Sequence, residues 1–483
     1  MLSFLRALKR LVMVVPVAAL VLGSCGVSKK SNSEEGKLKV PDSFYVSYNL
    51  NKGKFIDKGI FADTNLTNLI AIAIQQNPDV FITRQRIEMA AAQFRIKKGA
   101  MLPVISADAT ASGQKYGDYT MEGVGNFDTN LSGNIDEDQK VSLPFVPNYF
   151  IGLRSNWEID LWGKLKNQKK AAYMSLLASE QGRKLVITTL VAEVATRYYE
   201  LVALDAMKNV INDNIALQDS ALYITTIQKE AGRTTELGVQ QMSAQLLRTK
   251  ALLAQTERNI VRVENEINYY LGRFPQPIKR HADILALGMA ADYKPLLPAE
   301  ILAGRPDILE AEWNLKASGA DVLATKAALL PALTLTPFAG YSSFNSKLLL
   351  DPASLAYGII GGLTAPLINR SSLRGNIKRA EAERTMALYT YNKTVLQAFR
   401  EILTVSNDID QFKKVYRLNK GETDVLAEAV STSNELFKAG YASYLEVIAA
   451  QKTAIEAEIN LIETQKNILQ GQVALYRSVG GGW

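Results

Sequence analysis

The chain of 483 residues contains a single histidine, His281, and a single cysteine, Cys25. This scarcity excludes a Cys/His metal site and a disulfide framework, because each needs more of these residues. We also exclude a cysteine–histidine nucleophile pair, since its members could only be Cys25, close to the N-terminus, and His281. His281 lies in the polar stretch Lys279–Asp283, so we expect a solvated loop residue rather than a catalytic one. Without a nucleophile–base pair or a metal constellation, an enzyme is the weakest interpretation, and we expect no catalytic residue, no metal and no cofactor.

The chain also lacks a basic run interleaved with aromatic residues, which is the usual sequence sign of a nucleic-acid-binding surface. The formal net charge of +7 includes Arg6, Lys9 and Arg10 at the N-terminus. Without these three residues the charge is +4, and the remaining basic and acidic residues are well mixed along the chain. We therefore expect a mixed-charge surface and no nucleic-acid partner.

The N-terminus has the pattern of a targeting segment. Its basic residues precede an apolar run, Leu11–Leu22, that is too short to span a bilayer comfortably. The run ends in Leu22-Gly23-Ser24-Cys25, which is similar to the bacterial lipoprotein box, where the cysteine is lipidated and becomes the first mature residue. Gly26 in place of an acidic residue is similar to outer-membrane sorting signals. We predict a signal peptide at 1–24, a lipid on Cys25 and a polar tether at 25–57.

A long internal repeat restricts the fold most strongly. Asn77-Pro78-Asp79-Val80 opens one copy and Arg305-Pro306-Asp307-Ile308 opens the other. Each opening is followed 25 residues after its proline by a second proline, Pro103 or Pro331, so the offset between copies is 228. Repeats of this length indicate duplicated structural units. We predict a first copy at 58–280, a connector at 281–298 and a second copy at 299–483.

The sequence after each second proline alternates with period two. We predict two strands per copy, at about 104–114, 148–161, 332–343 and 356–367. In the second strand Ile151 and Leu153 face one way and Gly152 and Arg154 the other, which fits a half-buried sheet or a membrane strand beside a wet lumen. The lipoprotein pattern and the lack of a covering domain favour the membrane. Residues 113–147, rich in Gly, Asp and Asn, are predicted to be an exposed loop without an element.

Helical periodicity predicts the rest of each copy. The predicted helices are at about 64–100, 164–230, 235–271, 306–330, 372–438 and 444–478. The helix from Lys164 to Glu230 contains no proline, and about 67 residues at a rise of ~1.5 Å would span ~100 Å. Ala231-Gly232 and Ala439-Gly440 end the two long helices, since glycine commonly caps a helix C-terminus. These two helix ends are 208 residues apart, whereas the offset at the start of the repeat is 228. The first copy therefore has twenty extra residues, and they lie before its long helix.

Four membrane strands cannot close a barrel, and open edges in lipid cost several kcal/mol for each unpaired backbone group. Two chains would give an eight-stranded barrel, and side chains fill the interior of a barrel of that size. Three chains would give twelve, and the polar strand face favours this closure around water. The helices are too long for the membrane zone. We therefore predict a mainly α fold with membrane β structure: four barrel strands per chain and a trimeric 12-stranded β-barrel that an α-helical barrel continues.

Four segments carry a resemblance to a known family. They are Leu22–Cys25, Trp157–Lys164, Gly304–Ile308 with Ala327–Pro331 downstream, and Leu363–Ile368 followed by Leu373-Arg374. Together they resemble the TolC-like outer-membrane efflux family, in the lipoprotein (NodT-type) branch of its RND efflux outer-membrane factors. The resemblance extends from about residue 60 to the end of the chain.

The resemblance implies a homotrimeric channel across the outer membrane and periplasm. It would be the exit duct of a tripartite pump, with an inner-membrane RND-type transporter and a periplasmic adaptor (membrane fusion) protein. Drugs, other toxic small molecules or metal ions would be its cargo. Outer-membrane lipid would surround the barrel, and a covalent lipid on Cys25 would anchor it.

The resemblance also implies two kinds of site at the periplasmic end. Adaptor hairpins would dock at the helix tips, on Gly232, Arg233, Gly440 and Tyr441. The closed gate would be formed by Phe437, Tyr444 and Glu446. Three Glu446 carboxylates on one axis would attract cations and raise one another's pKa. The family's second acidic position is Ala449 here, which puts a double acidic ring in doubt.

Two alternatives remain open at this point. One is an exit duct for protein secretion rather than small-molecule efflux, since the choice of partners decides between them. The other is a lipid-tethered coiled-coil scaffold with small sheets, which would form no pore.

Overall fold

The computed structural model describes residue 61, residues 63–287, residues 304–366, residue 368 and residues 370–481. The predicted signal peptide, Cys25 and the tether lie outside the described residues, as does most of the predicted connector at 281–298. Lipidation of Cys25 therefore stays a prediction. All described residues belong to one compact unit.

Helices dominate the described part of the chain. They are α1 Thr64–Gln76, α2 Pro78–Gly99, α3 Met121–Leu131, α4 Lys164–Glu230, α5 Glu236–Tyr270, α6 Pro306–Ala327, α7 Arg370–Ala439 and α8 Tyr444–Ser478. The strands are β1 Val104–Gln114, β2 Val146–Ile159, β3 Ala332–Ser343 and β4 Leu355–Thr364. Within the described ranges, no helix is both long enough and apolar enough to cross a membrane.

The four strands form one antiparallel sheet in the order β1-β2-β3-β4. Its register brings Ala107, Leu153, Ala339 and Tyr357 side by side across all four strands. Because side chains alternate along a strand, these residues share one face of the sheet. Leu153 and Tyr357 are exposed, so this face is apolar and uncovered within the chain. β1 and β4 are the two edges, each with one side unpaired in the sheet order.

The opposite face of the sheet is more polar. Arg154 lies over the ring of Phe150, 4.5 Å from its centroid, and its guanidinium is 3.6 Å from the carboxylate of Asp108. The predicted mainly α fold with four strands per chain is thus confirmed, together with the two-faced character of the strands.

The segment between β1 and β2 corrects one expectation. Residues 113–147 were expected to form a loop without an element, yet they contain α3 and a short 3-10 helix, Glu137–Gln139. The hydroxyl of Thr120 caps α3 by accepting from the backbone N–H of Gly123 at 3.0 Å. The high Gly, Asp and Asn content masked this local helix signal.

The sequence Trp157–Lys164 fixes the junction between β2 and α4. The carboxylate of Asp160 accepts from the N–H groups of Leu165 and Lys166 at 3.0 and 2.7 Å, which satisfies two free donors at the helix start. The indole of Trp162 donates to the carbonyl of Pro331 at 2.7 Å, so the same junction is joined to the second copy. Gly163 has φ +75°, a left-handed conformation that favours glycine.

The main core lies where α1, α4, α5 and α8 meet. Its fully buried members include Leu66 on α1, Tyr198 and Leu201 on α4, and Ile267 on α5, and Val473 on α8 packs with them. The long helices are therefore held by packing of apolar faces rather than by helix propensity alone.

His281 is better packed than its polar neighbours suggested. Its backbone N–H donates to the hydroxyl of Tyr198 at 3.0 Å, and that hydroxyl donates in turn to the carboxylate of Asp63. Burial and the bond to Asp63 raise the pKa of Tyr198. The preceding Arg280 pairs with Asp205. His281 lies in a loop and is partly exposed, and the backbone of its segment packs against α4.

The short helices and the return helices of the two copies match in both ends. The offset of 228 takes both ends of α2 onto those of α6, and an offset of 208 takes both ends of α5 onto those of α8. Gly272 and Gly480, also 208 apart, both have positive φ. A Cβ at Gly272 would collide with the carbonyl oxygen of Gln76, and one at Gly480 would lie 3.0 Å from that of Gly304. The repeat therefore extends to backbone contacts.

Candidate functional site at the helix tips

The first tip joins α4 to α5. Gly232 has φ +69°, and the N–H of Arg233 bonds to the carbonyl of Gln228 at 2.8 Å, which closes the end of α4 as glycine caps do. Thr235 then caps α5 by accepting from Gly238 N–H. Gly232 and Arg233 are both exposed. The turn thus presents one cationic side chain beside accessible backbone.

The second tip joins α7 to α8 with the same geometry. Gly440 has φ +83°, and the N–H of Tyr441 bonds to the carbonyl of Leu436 at 2.8 Å. Ser443 and Glu446 form a reciprocal capping box at the start of α8. Tyr441 is exposed over most of its surface, so this tip presents an aromatic ring where the first presents Arg233.

The two tips contact each other. A Cβ placed at Gly238 in α5 would lie 3.1 Å from the ring of Tyr444 in α8. Next to this contact, Ala221, Met242, Phe437 and Val447 form a small buried cluster contributed by all four helices. Gly238 therefore permits the close approach of the aromatic ring, and the cluster fixes the two hairpins as one unit.

The predicted gate residues fall into two environments. Phe437 is 5 % exposed and packs inside the tip cluster, and Tyr444 is partly buried against the same cluster. A ring buried inside one chain does not line a channel in this conformation. Glu446 is exposed, whereas Tyr444 is partly exposed and Phe437 is buried.

Glu446 is held by a local bond. Its carboxylate accepts from the backbone N–H of Ser443 at 2.5 Å. This bond, followed by the bond to the Ser443 side chain, lowers the pKa of Glu446. Within one chain the shift is thus opposite to the mutual rise expected of three clustered carboxylates. Glu446 also lines a groove with Glu428, Thr432 and Leu436 along the last turns of α7.

The sequence predicted the ends of both long helices but not the buried cluster that packs behind the two tips. The cluster around Met242 depends on the packing of four helices, which no local pattern predicts. The capping box was readable, because Ser443 is followed three residues later by Glu446.

Comparisons with known proteins agree with this architecture. The sequence profile of the family described as "Outer membrane efflux protein" matches residues 69–273 and 297–481. The pyoverdine export outer membrane protein OpmQ of Pseudomonas putida is 29 % identical, over 88 % of this chain and 87 % of its own length. The probable outer membrane lipoprotein SilC of Salmonella typhimurium is 25 % identical, over 96 % and 97 %. Among solved structures, the outer-membrane channel OprN has the same fold, with a TM-score of 0.80, 23 % identity and coverage of 95 % of this chain and 99 % of its own.

The family profile covers both copies of the repeat and therefore most of the chain. The duplicated helices, the open sheet and the paired tips together match the architecture of such a channel. The chain therefore belongs to the outer membrane efflux protein family, and it acts in transport as an outer-membrane exit duct.

Proposed function

We propose that three copies of this chain assemble into the exit duct of a tripartite efflux pump. The observation that carries this proposal is the uncovered four-stranded sheet with its two unpaired edges, β1 and β4. Unpaired edges are costly in lipid, so the sheet has to close with other sheets. Three sheets supply twelve strands, enough to enclose water instead of a core filled by side chains.

The face assignments support the same assembly. Apolar residues such as Leu153 and Tyr357 would face lipid, and the face with Arg154 and Asp108 would line the lumen. Membrane barrels alternate apolar-out and polar-in along each strand in this way. The helices of three chains would continue the lumen on the periplasmic side.

The tips would be the docking site for a periplasmic adaptor. Both turns expose backbone next to a glycine, and each adds one side chain suited to contacts, Arg233 or Tyr441. The adaptor would connect the duct to an inner-membrane transporter of the RND type, which would supply the energy. Export of small molecules rather than proteins is supported by relatives such as OpmQ, whose name states pyoverdine export.

Cys25 would carry a covalent lipid that anchors the N-terminus in the outer membrane, and the duct would need no other cofactor. The full-length relative SilC, named a probable outer membrane lipoprotein, supports this anchor. Glu446 would supply the gate with one carboxylate per chain. With Ala449 in place of a second acid, we expect weak rather than strong block by divalent cations.

Reconstitution into planar bilayers tests the proposal. Purified full-length protein should require detergent and give stepwise conductance. A water-soluble monomer without conductance would overturn the channel and favour the tethered scaffold.

Two matched variants test the orientation of the sheet. Leu153→Arg places a charge on the apolar face and should destabilise the inserted barrel by about 2–4 kcal/mol if it lies at mid-membrane. Ser106→Arg places the same charge on the polar face, beside Arg154, and should leave insertion intact while changing ion selectivity. Equal insertion of both variants would contradict the assignment of faces.

A further inference from the structure

We propose that a set of lysine and arginine side chains next to the sheet binds the headgroups of anionic phospholipids in the periplasmic leaflet of the outer membrane. This inference rests on the proposed membrane duct, and it goes further by naming the lipid class and the residues that select it. We call this set the basic collar. Its members, three from each copy of the repeat, are Lys98, Lys166, Lys170, Lys326, Arg374 and Lys378.

Positive charge is concentrated where the helices meet the sheet. α2 and α6 end, and α4 and α7 begin, within a few residues of a strand. In each of these helices we take the ten residues nearest the sheet; together they contain twelve lysines or arginines and one acidic residue, Asp321. The ten residues nearest the tips in α4, α5, α7 and α8 contain three basic and four acidic residues. The cationic bias therefore belongs to the sheet end of the helices and not to their whole length.

The repeat keeps three of these charges in both copies. The offset of 228 takes Lys98 to Lys326, and the offset of 208 takes Lys166 to Arg374 and Lys170 to Lys378. A neighbouring charge is not kept, because Lys169 has Ile377 as its counterpart. Two copies in each of three chains would place every collar position six times around the proposed duct.

The collar side chains are accessible. All six are exposed. The Nζ of Lys326 lies 2.7 Å from the carboxylate of Glu381, and both groups are at the surface. Within the described part of the chain, the other five collar residues form no ion pair. Their charges are therefore available to an anion outside the chain.

The ion pair of Lys164 shows which way the collar faces. Its Nζ is 2.7 Å from the carboxylate of Glu158, which shares the polar face of β2 with Arg154. Lys166 and Lys170 follow Lys164 by about 200° and 240° around the helix, at roughly 100° per residue. They therefore lie on the side of α4 away from the proposed lumen, which is the side of the apolar sheet face.

Exposed apolar side chains set the level of the collar relative to the membrane. Leu102, Leu161 and Ile368, in the connections between strands and helices, are 65 %, 54 % and 90 % exposed. Lys166 and Lys170 come next, about 3 and 9 Å from the start of α4. The polar zone of a leaflet is roughly 5–7 Å thick, and lysine extends its apolar stem so that its charge lies in that zone. The collar is thus at the height of the lipid headgroups.

The chemistry of the collar favours anionic headgroups over zwitterionic ones. A zwitterionic headgroup carries an ammonium group beside its phosphate, and the collar would repel it. An anionic headgroup presents a phosphate without that opposing charge, and basic clusters at a membrane surface attract such lipids. Arg374 can in addition bind a phosphate through two parallel hydrogen bonds.

Spin-labelled lipids test the proposal. The full-length protein is reconstituted in phosphatidylcholine vesicles with a trace of spin-labelled phosphatidylglycerol or phosphatidylcholine, and electron paramagnetic resonance compares how much of each label contacts the protein. The protein should prefer phosphatidylglycerol by about threefold or more at low salt, and salt should reduce the preference by screening. Inorganic phosphate should reduce it no more than sodium chloride of the same ionic strength, because the collar binds the headgroup of a lipid in the bilayer. Displacement by inorganic phosphate beyond that would overturn the lipid assignment.

Two matched variants locate the preference. The first replaces four collar residues and should abolish the preference for phosphatidylglycerol; it combines Lys166→Gln, Lys170→Gln, Arg374→Gln and Lys378→Gln. The second also replaces three lysines and one arginine, all exposed and farther from the sheet, and should keep the preference; it combines Lys414→Gln, Arg417→Gln, Lys438→Gln and Lys452→Gln. Equal preference in the two variants would overturn the collar.

A conservative variant separates charge from folding. Lys166→Arg combined with Lys170→Arg and Lys378→Arg keeps every charge and should keep the lipid preference. Loss of the preference in this variant would show that side-chain shape, and not charge, selects the lipid, which contradicts the proposal.

Conductance distinguishes the collar from the duct. The reversal potential in a salt gradient should be the same in the unmodified protein and in the collar glutamine variant, because the collar faces lipid. A shifted reversal potential would place these residues in the lumen and overturn the proposal. An unmodified protein that conducts without preferring phosphatidylglycerol would overturn the collar and leave the duct intact, whereas a water-soluble protein without conductance would overturn both.

Discussion

The guanidinium of Arg305 donates a hydrogen bond of 2.7 Å to the backbone carbonyl of Ser478, at the end of α8. Asn77 occupies the same place in the first copy and donates to the carbonyl of Tyr270 at 2.9 Å. Ser478 and Tyr270 are 208 residues apart, so the contact is duplicated with the repeat. The residue before each Pro-Asp pair therefore joins the start of a short helix to the end of a return helix.

Arg305 does more than Asn77, because it also pairs with Asp307 at 2.6 Å and Glu401 at 3.0 Å while being 6 % exposed. Arg305→Ala should lower the free energy of unfolding by about 3–5 kcal/mol, since it leaves two carboxylates without their buried cation. Denaturant unfolding in detergent measures the change. Arg379→Ala, at an arginine that is largely exposed, should change it by less than about 1 kcal/mol. Equal losses of unfolding free energy in the two variants would mean that the buried ion pairs of Arg305 do not stabilise the fold.

Much of this architecture could be predicted from the sequence, because the same pattern of helices and strands occurs in both copies of the repeat. The stops at Gly232 and Gly440 followed from glycine chemistry, and both residues adopt the positive φ that the prediction needs. The burial of Phe437 was not readable, since it depends on Met242 and Val447 arriving from other helices. α3 was missed for another reason: the local cap at Thr120 was present, but the composition of the segment outweighed it.

The tip glycine gives a prediction with a matched control of opposite sign. Gly440→Ala should destabilise the tip by about 1–2 kcal/mol, because φ +83° is unfavourable for a residue with a Cβ. Gly421, inside α7, has open space where an added Cβ would lie, so Gly421→Ala should stabilise the helix by about 0.5–1 kcal/mol. Thermal unfolding followed by circular dichroism compares the two variants. If both substitutions stabilised the protein, the turn at Gly440 would have to adopt another backbone conformation without cost.

Phe437 gives a prediction that separates packing from gating. Phe437→Ala should cost about 3–5 kcal/mol of stability, because it removes a buried ring from the tip cluster. Leu436→Ala, at a neighbour that is 42 % exposed, should cost much less. Single-channel recording supplies the second measurement: Phe437→Ala with normal stability and a larger conductance would mean that the ring lines the lumen.

Glu446 tests whether the tip carboxylate faces the conducting path. Glu446→Gln should weaken any block by divalent cations, because it removes a charge from each chain while keeping an acceptor for the Ser443 N–H. The difference in block between Glu446→Gln and the wild type should disappear as the pH falls through the lowered pKa of Glu446, because the wild-type carboxylate also becomes neutral there. Glu456→Gln, at an exposed position on the same helix, is the control. Unchanged block in Glu446→Gln would place Glu446 outside the constriction.

Glu458 on α8 gives a pH-dependent stability prediction. Burial first, and the nearby Asp213 on α4 second, raise the pKa of Glu458 above its ordinary value. The folded protein therefore holds this proton more tightly than the unfolded chain, so stability from this group is greatest below the unfolded pKa of about 4.3 and falls as the pH rises through the folded pKa. Glu458→Gln should raise the unfolding temperature at pH 7, and the gain should vanish below about pH 4. Glu456→Gln, at an exposed position on the same helix, is the control for the loss of one carboxyl group. A gain in Glu458→Gln that is equal at pH 4 and pH 7 would show that side-chain size, and not the charge facing Asp213, causes it.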